Sequence, residues 1–306
     1  MSSRHRVAAS VFCAAVFLAA TAHGQAWVGL ERSLSLSLDY NYGFSNKIIQ
    51  DFSDRSNEPD GENIAHHAYV VGAEYVPLDK LALRVTIPVI STIYSGSAAL
   101  FPRHGRYDDG SHHTTLQDFS MRARYQVYDD IVAFSPHLGF SLPMTDYETV
   151  GYAGAGRGLR SLEFGGSVGK FFLSGVPGLF VHGSYSLNLV ERYKTAFEET
   201  ADFGQNNSRF DLQTGYFILP QLQVHVAGDL RLAHGGFEFA NYDDYAEVSR
   251  MYHDPLMAED VLLLGGGASY SILHNLSVNA MFRVWTWGHN TRNAHMVGAG
   301  LNWNVL

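Results

Sequence analysis

From Ser33 to Phe44 the chain reads SLSLSLDYNYGF, and its polarity flips at every residue. Leu34, Leu36, Leu38, Tyr40, Tyr42 and Phe44 are apolar or aromatic, while Ser33, Ser35, Ser37, Asp39, Asn41 and Gly43 are small or polar. Successive side chains of a strand leave on opposite faces, so the stretch has one apolar and one wet face. Wound into a helix, the same apolar residues would be scattered round the cylinder without a stripe. The stretch is a β-strand, and long for a soluble sheet. What its apolar face meets, a protein core or lipid, decides the fold class.

The same period returns along the chain. It shows in Tyr69, Val71, Ala73 and Tyr75, then in Leu81, Leu83, Val85, Ile87 and Val89, and again in Phe119, Met121, Ala123 and Tyr125. Further runs begin near Val132, Leu162, Leu179, Phe210, Leu222 and Leu276, and the last is Val297, Ala299, Leu301, Trp303 and Val305. Val261 to Tyr270 alternates less clearly. These runs predict about twelve strands of ~10 to 12 residues, joined alternately by short turns and long polar loops.

Three signs favour lipid over a soluble sandwich or lipocalin-like barrel. The strands match the ~9 to 11 residues that cross a bilayer. Long loops and short turns segregate to opposite ends, and the face opposite the apolar one carries many charges. The reading is a transmembrane antiparallel β-barrel with short periplasmic turns and long extracellular loops. Closure removes sheet edges, so the strand from Leu34 should pair with the one ending at Trp303. Tyr42, Phe44, Tyr75, Tyr125, Tyr185 and Trp303 suit aromatic girdles.

Composition agrees. Hydrophobic residues make up 46% of the chain, yet mean hydropathy is only -0.08, so apolar residues are interleaved with polar ones. Beyond the first 24 residues no stretch approaches the ~18 continuous apolar residues of a membrane helix. Those first residues combine Arg4 and Arg6, an apolar run from Val7 to Ala20, and small residues at Ala22 and Gly24. They read as a signal peptide over 1–24, cut after Gly24 or Ala22, with the barrel over 25–306. Cys13, the only cysteine, lies inside that run. A net charge of -9 argues against nucleic acid as a partner.

The segment from Leu116 to Asn188, with LQDFSMRARYQV, HLGFSLPMTDYE, GGSVGKFF and VHGSYSLN, resembles the outer-membrane family named for the MetA pathway of phenol degradation. Where that family usually has Gly-Asp, this chain has Gln117-Asp118 and Met144-Thr145-Asp146. The resemblance implies an outer-membrane transporter, expected to act as a channel for small molecules, without catalytic residues.

If the apolar face meets lipid, the other face lines the lumen. The candidate lining residues are the acids Asp39, Glu74, Asp118, Glu163, Asp211 and Asp229 and the arginines Arg84, Arg122, Arg124, Arg209, Arg231 and Arg283. His137 and His182 join them. The signs balance, so neither a strong cation nor a strong anion filter follows, although opposed rows can create a transverse field. The function read from this is passive passage of small molecules, and the family resemblance implies aromatic or hydrophobic ones among them. The alternative is a non-conducting barrel with a structural or surface-interaction role.

An outer-membrane lipid hydrolase is weaker still. His182-Gly183-Ser184 has the His-x-Ser spacing of outer-membrane phospholipase A, but Val181, Tyr185 and Leu187 claim the lipid side, leaving the pair to the lumen. Histidines such as His66, His67, His104, His112, His113, His234, His253, His289 and His295 fall in or near long loops without a fixed ligand spacing, so no metal or other cofactor is expected. The acidic loops, with Asp243, Asp244, Glu247 and Asp254 in the longest late one, read as solvated surface. Gly154 to Gly158 reads as a mobile loop and Gly265 to Gly267 as a bend; neither fits a phosphate loop. Expected partners are outer-membrane lipid, lipopolysaccharide, the barrel-assembly machinery and a small solute.

Overall fold

The computed structural model describes residues 26–49, 55–57, 63–96, 107–172, 175–194, 204–244 and 253–306. The signal-peptide reading of 1–24, Cys13, His104 and Glu247 lie outside them. Alternation becomes twelve long strands among the described residues. They are β1 (Leu34–Ser45), β2 (Asn63–Leu78), β3 (Leu81–Ser95), β4 (Asp118–Tyr125), β5 (Ala133–Pro143) and β6 (Ser161–Phe172). The second half holds β7 (Leu179–Val190), β8 (Asn206–Leu219), β9 (Leu222–His234), β10 (Asp260–Leu273), β11 (Leu276–His289) and β12 (His295–Asn304). Each pairs with the next, β12 pairs antiparallel with β1, and the sheet is closed. Leu36 lies opposite Trp303 and Asp39 opposite Gly300, so the expected seam is present.

Register assigns the two faces. Across β1 and β2, Leu38 pairs with Val71 and Asp39 with Val70. Leu38 and Val71 are about half exposed, whereas Asp39 and Val70 are buried. The outward side continues round the wall through Tyr125, Leu138, Phe164, Leu212, Val226, Phe282 and Leu301, all exposed. No part of the described chain covers this band, and hydrocarbon is the medium that fits it. In that medium every backbone group must be satisfied within the sheet, which closure achieves. β2 and β3 run to 16 and 15 residues, longer than crossing a bilayer requires.

At one end, two-residue connections link neighbours: Asp79-Lys80, Pro220-Gln221 and His274-Asn275. At the other, long loops build extra structure. Lys47–Ile49 pairs with Arg55–Asn57 and with Thr291–Arg292 in a small separate sheet. A 3-10 segment at Phe239–Asp244 and one helical turn at His253–Leu256 lie in the loop before β10.

Two expectations are corrected here, and a third gains a packing reason. Gly154 to Gly158 does not belong to a loose loop, because Tyr152, Ala153 and Ala155 are all buried. The acidic loops are not wholly solvated: Asp108, Asp254 and Glu259 are nearly inaccessible and accept hydrogen bonds from other loops. The Gly265 to Gly267 run sits within β10, where Phe282 and Ala280 backbone oxygens lie so close to Gly265 and Gly267 that a Cβ would collide. The blurred alternation of β10 has a cause. Val261 and Leu263 point inward but pack on Ala294, Met296 and Trp285, so both faces there are apolar.

Candidate functional site

All the sequence-predicted lining residues fall on inward strand positions, and ion pairs draw several of them into two groups. The first spans β2 to β6. Arg124 Nη2 donates to Glu74 Oε2 at 2.7 Å, and Arg122 Nη2 lies 2.7 Å from Glu163 Oε1. His137 Nε2 approaches the same Glu163 oxygen at 2.9 Å. Arg84 sits between Glu74 on β2 and Arg122 on β4 in the strand register. The second group spans β7 to β9. Here Asp211 lies directly opposite Asp229, and Arg209 directly opposite Arg231. Like charges in that position repel, so the pairing runs diagonally. Arg209 Nη2 is 2.6 Å from Asp229 Oδ2 and 3.5 Å from Asp211 Oδ1. Arg283 on β11 lies within electrostatic reach of both aspartates.

These side chains lie along the wall. Inward glycines on neighbouring strands leave the room: His137 covers Gly165, His225 covers Gly267, and Asp39 meets Asn279 over Gly300. A Cβ at any of the three would collide with the side chain now occupying that space. Glycine here is the price-free answer to crowding, letting long polar groups flatten against the sheet.

Two expected lining residues do something else. Asp118 accepts a hydrogen bond from the Tyr147 hydroxyl at 2.6 Å, and that hydroxyl accepts from Gly158 N at 2.9 Å. Arg231 is 3.3 Å from Glu259, which also takes Arg157 at 2.9 Å. Both therefore anchor the loop between β5 and β6, residues 144–160, which folds inward.

That loop is pinned from several sides. Asp108 accepts from the backbone N–H groups of Tyr152 at 2.9 Å and Ala153 at 2.7 Å. Asp254 accepts from Gly151 N at 2.7 Å. Thr92 and Gln117 donate to the carbonyl oxygens of Ala153 and Ala155. The Tyr152 ring stacks on Tyr94 at 4.6 Å, with the Arg292 guanidinium 5.1 Å from its centre. Sequence reasoning missed this anchorage, although a signal exists. Gly151 to Gly156 has no charged residue, which is unusual in a solvated loop. An Asp108→Ala chain leaves two backbone donors without their acceptor, at about 1 to 3 kcal/mol each. Trypsin is expected to cleave after Arg157 in that variant but not in the parent; equal resistance would show that Asp108 is dispensable.

His182 and Ser184 both face inward, as their spacing predicts. The Ser184 hydroxyl donates to Asp211 Oδ2 at 2.9 Å and is not engaged with His182. Among the described residues no three of His, Cys, Asp and Glu are grouped to hold a metal. On the long-loop rim, hydrogen bonds from Ser111 and His113 hold the Asp109 carboxyl well below the usual carboxylate range.

No protein-family model matches the sequence, and no curated protein matches it. The fold has clear counterparts among solved structures. An outer membrane channel from Pseudomonas putida F1 superposes with a TM-score of 0.71 at 8% identity, covering 92% of this chain and 98% of that one. The translocator domain of the autotransporter NalP from Neisseria meningitidis gives 0.52 at 10% identity, covering 89% of this chain and 88% of that one. At these identities the shared property is the architecture: this chain has the fold of outer-membrane β-barrels.

Proposed function

We propose that the chain resides in the outer membrane and acts as a channel for passive passage of small molecules, with the short turns on the periplasmic side. The supporting observation is the inward wall. Its charges are paired with each other and His137 and Asp39 lie over glycines, giving the barrel the polar inner face that a water-filled passage needs. Passage of aromatic or hydrophobic solutes rests on the resemblance to the phenol-degradation family alone. Lipopolysaccharide, the assembly machinery and a leader over 1–24 belong to the same reading, as does the absence of catalysis.

Purified protein in planar bilayers is expected to give discrete conductance steps, and in liposomes to give solute-dependent swelling. Replacing Glu163 by Gln removes an inward negative charge beside Arg122, so selectivity should move toward anions. Absence of both steps and swelling would defeat the channel reading. The competing reading, a barrel with a structural or surface role, draws on the anchored loop over 144–160, whose Tyr152 is buried within the long-loop end.

A further inference from the structure

The opposite end carries a second inward element, which the charge pattern does not explain. Residues 26–28 precede β1, yet they do not continue its edge. A turn holds the base: Ser33 N and Oγ both donate to Leu30 O, Arg32 has φ +64°, and Arg32 N donates to Val76 O on β2. From there the backbone leaves the β1–β2 wall and arrives at β5 and β6. Val28 N donates to Gln126 Oε1 at 2.9 Å, just past β4, and Ala26 O accepts from Ser135 Oγ on β5 at 2.7 Å. Ala26 and Ser135 are both fully buried. These attachments pass in order from β2 to the end of β4 and to β5, so the segment lies inside the short-turn mouth against that side of the ring.

Trp27 extends this run to β6. Its ring lies 4.4 Å from Phe171, an inward residue near the end of β6. Phe171 in turn is 5.9 Å from Phe180 on β7 and 6.4 Å from Phe217 on β8. The indole fills the space over Gly169, where any Cβ would collide with it. Between this seat and the turn, Gly29 and Leu30 are exposed and take no part in the sheet.

We infer that residues 26–28 are a stopper for the short-turn mouth, with Trp27 as the latch, Phe171, Phe180 and Phe217 as its seat, and Gly29 as the pivot. The inference deepens the channel reading and rests on it for its purpose, though not for its geometry. The attachments suit release. They comprise two side-chain hydrogen bonds and one aromatic seat, and they can be undone without breaking a strand pair. Gly169 is the necessary complement, since a methyl group there would evict the indole while leaving the segment's own sequence intact.

The test uses full-length barrel with Cys13→Ser as background. Ser167, opposite Ser135 in the register and fully buried, is changed to Cys as a reporter of what the segment covers. A small water-soluble thiol reagent is then applied. Trp27→Ala and Gly169→Ala are each expected to speed labelling at least tenfold, and to raise bilayer conductance or open time. Leu30→Ala, on the exposed part of the same segment, should change neither. Unchanged labelling in both Trp27→Ala and Gly169→Ala overturns the stopper. So does faster labelling in a conducting barrel whose conductance stays the same, because the segment would then be a brace. Faster labelling with no conductance in any variant supports the stopper and instead defeats the channel reading.

Discussion

A Leu38→Arg chain is expected to fail to form the folded barrel, while Ser37→Asp folds. The two positions are adjacent but belong to different solvents. Leu38 points outward, flanked in register by Val71 and Leu301, near the middle of β1. An arginine on the lipid face at that depth costs about 2 to 4 kcal/mol. That shifts the folding equilibrium by roughly thirtyfold to several hundredfold. Ser37 points inward beside Gly72, where an added carboxylate stays among polar groups. Heat-modifiable gel migration after refolding in lipid, followed across a urea series, reads the folded fraction of both. If Ser37→Asp failed and Leu38→Arg folded, the barrel would be inside out.

The second large effect concerns Arg209. It is the cation between two carboxylates that the register sets face to face, Asp211 and Asp229. Arg209→Met leaves those charges opposed and largely buried. Breaking a buried pair by removing one partner costs about 3 to 5 kcal/mol, because the remaining charge stays out of water. The urea midpoint should fall markedly. Adding Asp229→Asn to the same chain removes one of the two opposed charges and is expected to restore more than half of the loss. A single variant as stable as the parent, or a double variant no better than the single, would mean that Arg209 does not neutralise the pair.

Both predictions turn on residues whose direction parity alone determines. That is why so much of the wall was legible: a strand offers two faces, and one residue of known polarity fixes the rest. Asp39, Glu163 and Asp229 could be placed inward without knowing any partner. Parity is silent on contacts between strands far apart in sequence. It could not tell that Arg231 would turn to Glu259, or that Asp118 would hold Tyr147. It failed for β10, whose inward Val261 and Leu263 meet apolar residues of β12 and its approach. Loops have no period to read. The burial of Tyr152 depends on Asp108, Asp254 and Arg292, which come from three other connections.

The seam between β1 and β12 has a consequence in time. Ser35 and Asn304 share a hydrogen bond across 269 positions, so the first strand finds its second neighbour only when the last strand has arrived. Until then one edge of β1 is an open row of donors and acceptors, able to pair with a strand of another molecule. Contacts so distant along the chain also close slowly. The barrel's most vulnerable moment is therefore the interval between delivery of Leu34 and delivery of Asn304, and a chain cut short before His295 would carry that vulnerability permanently.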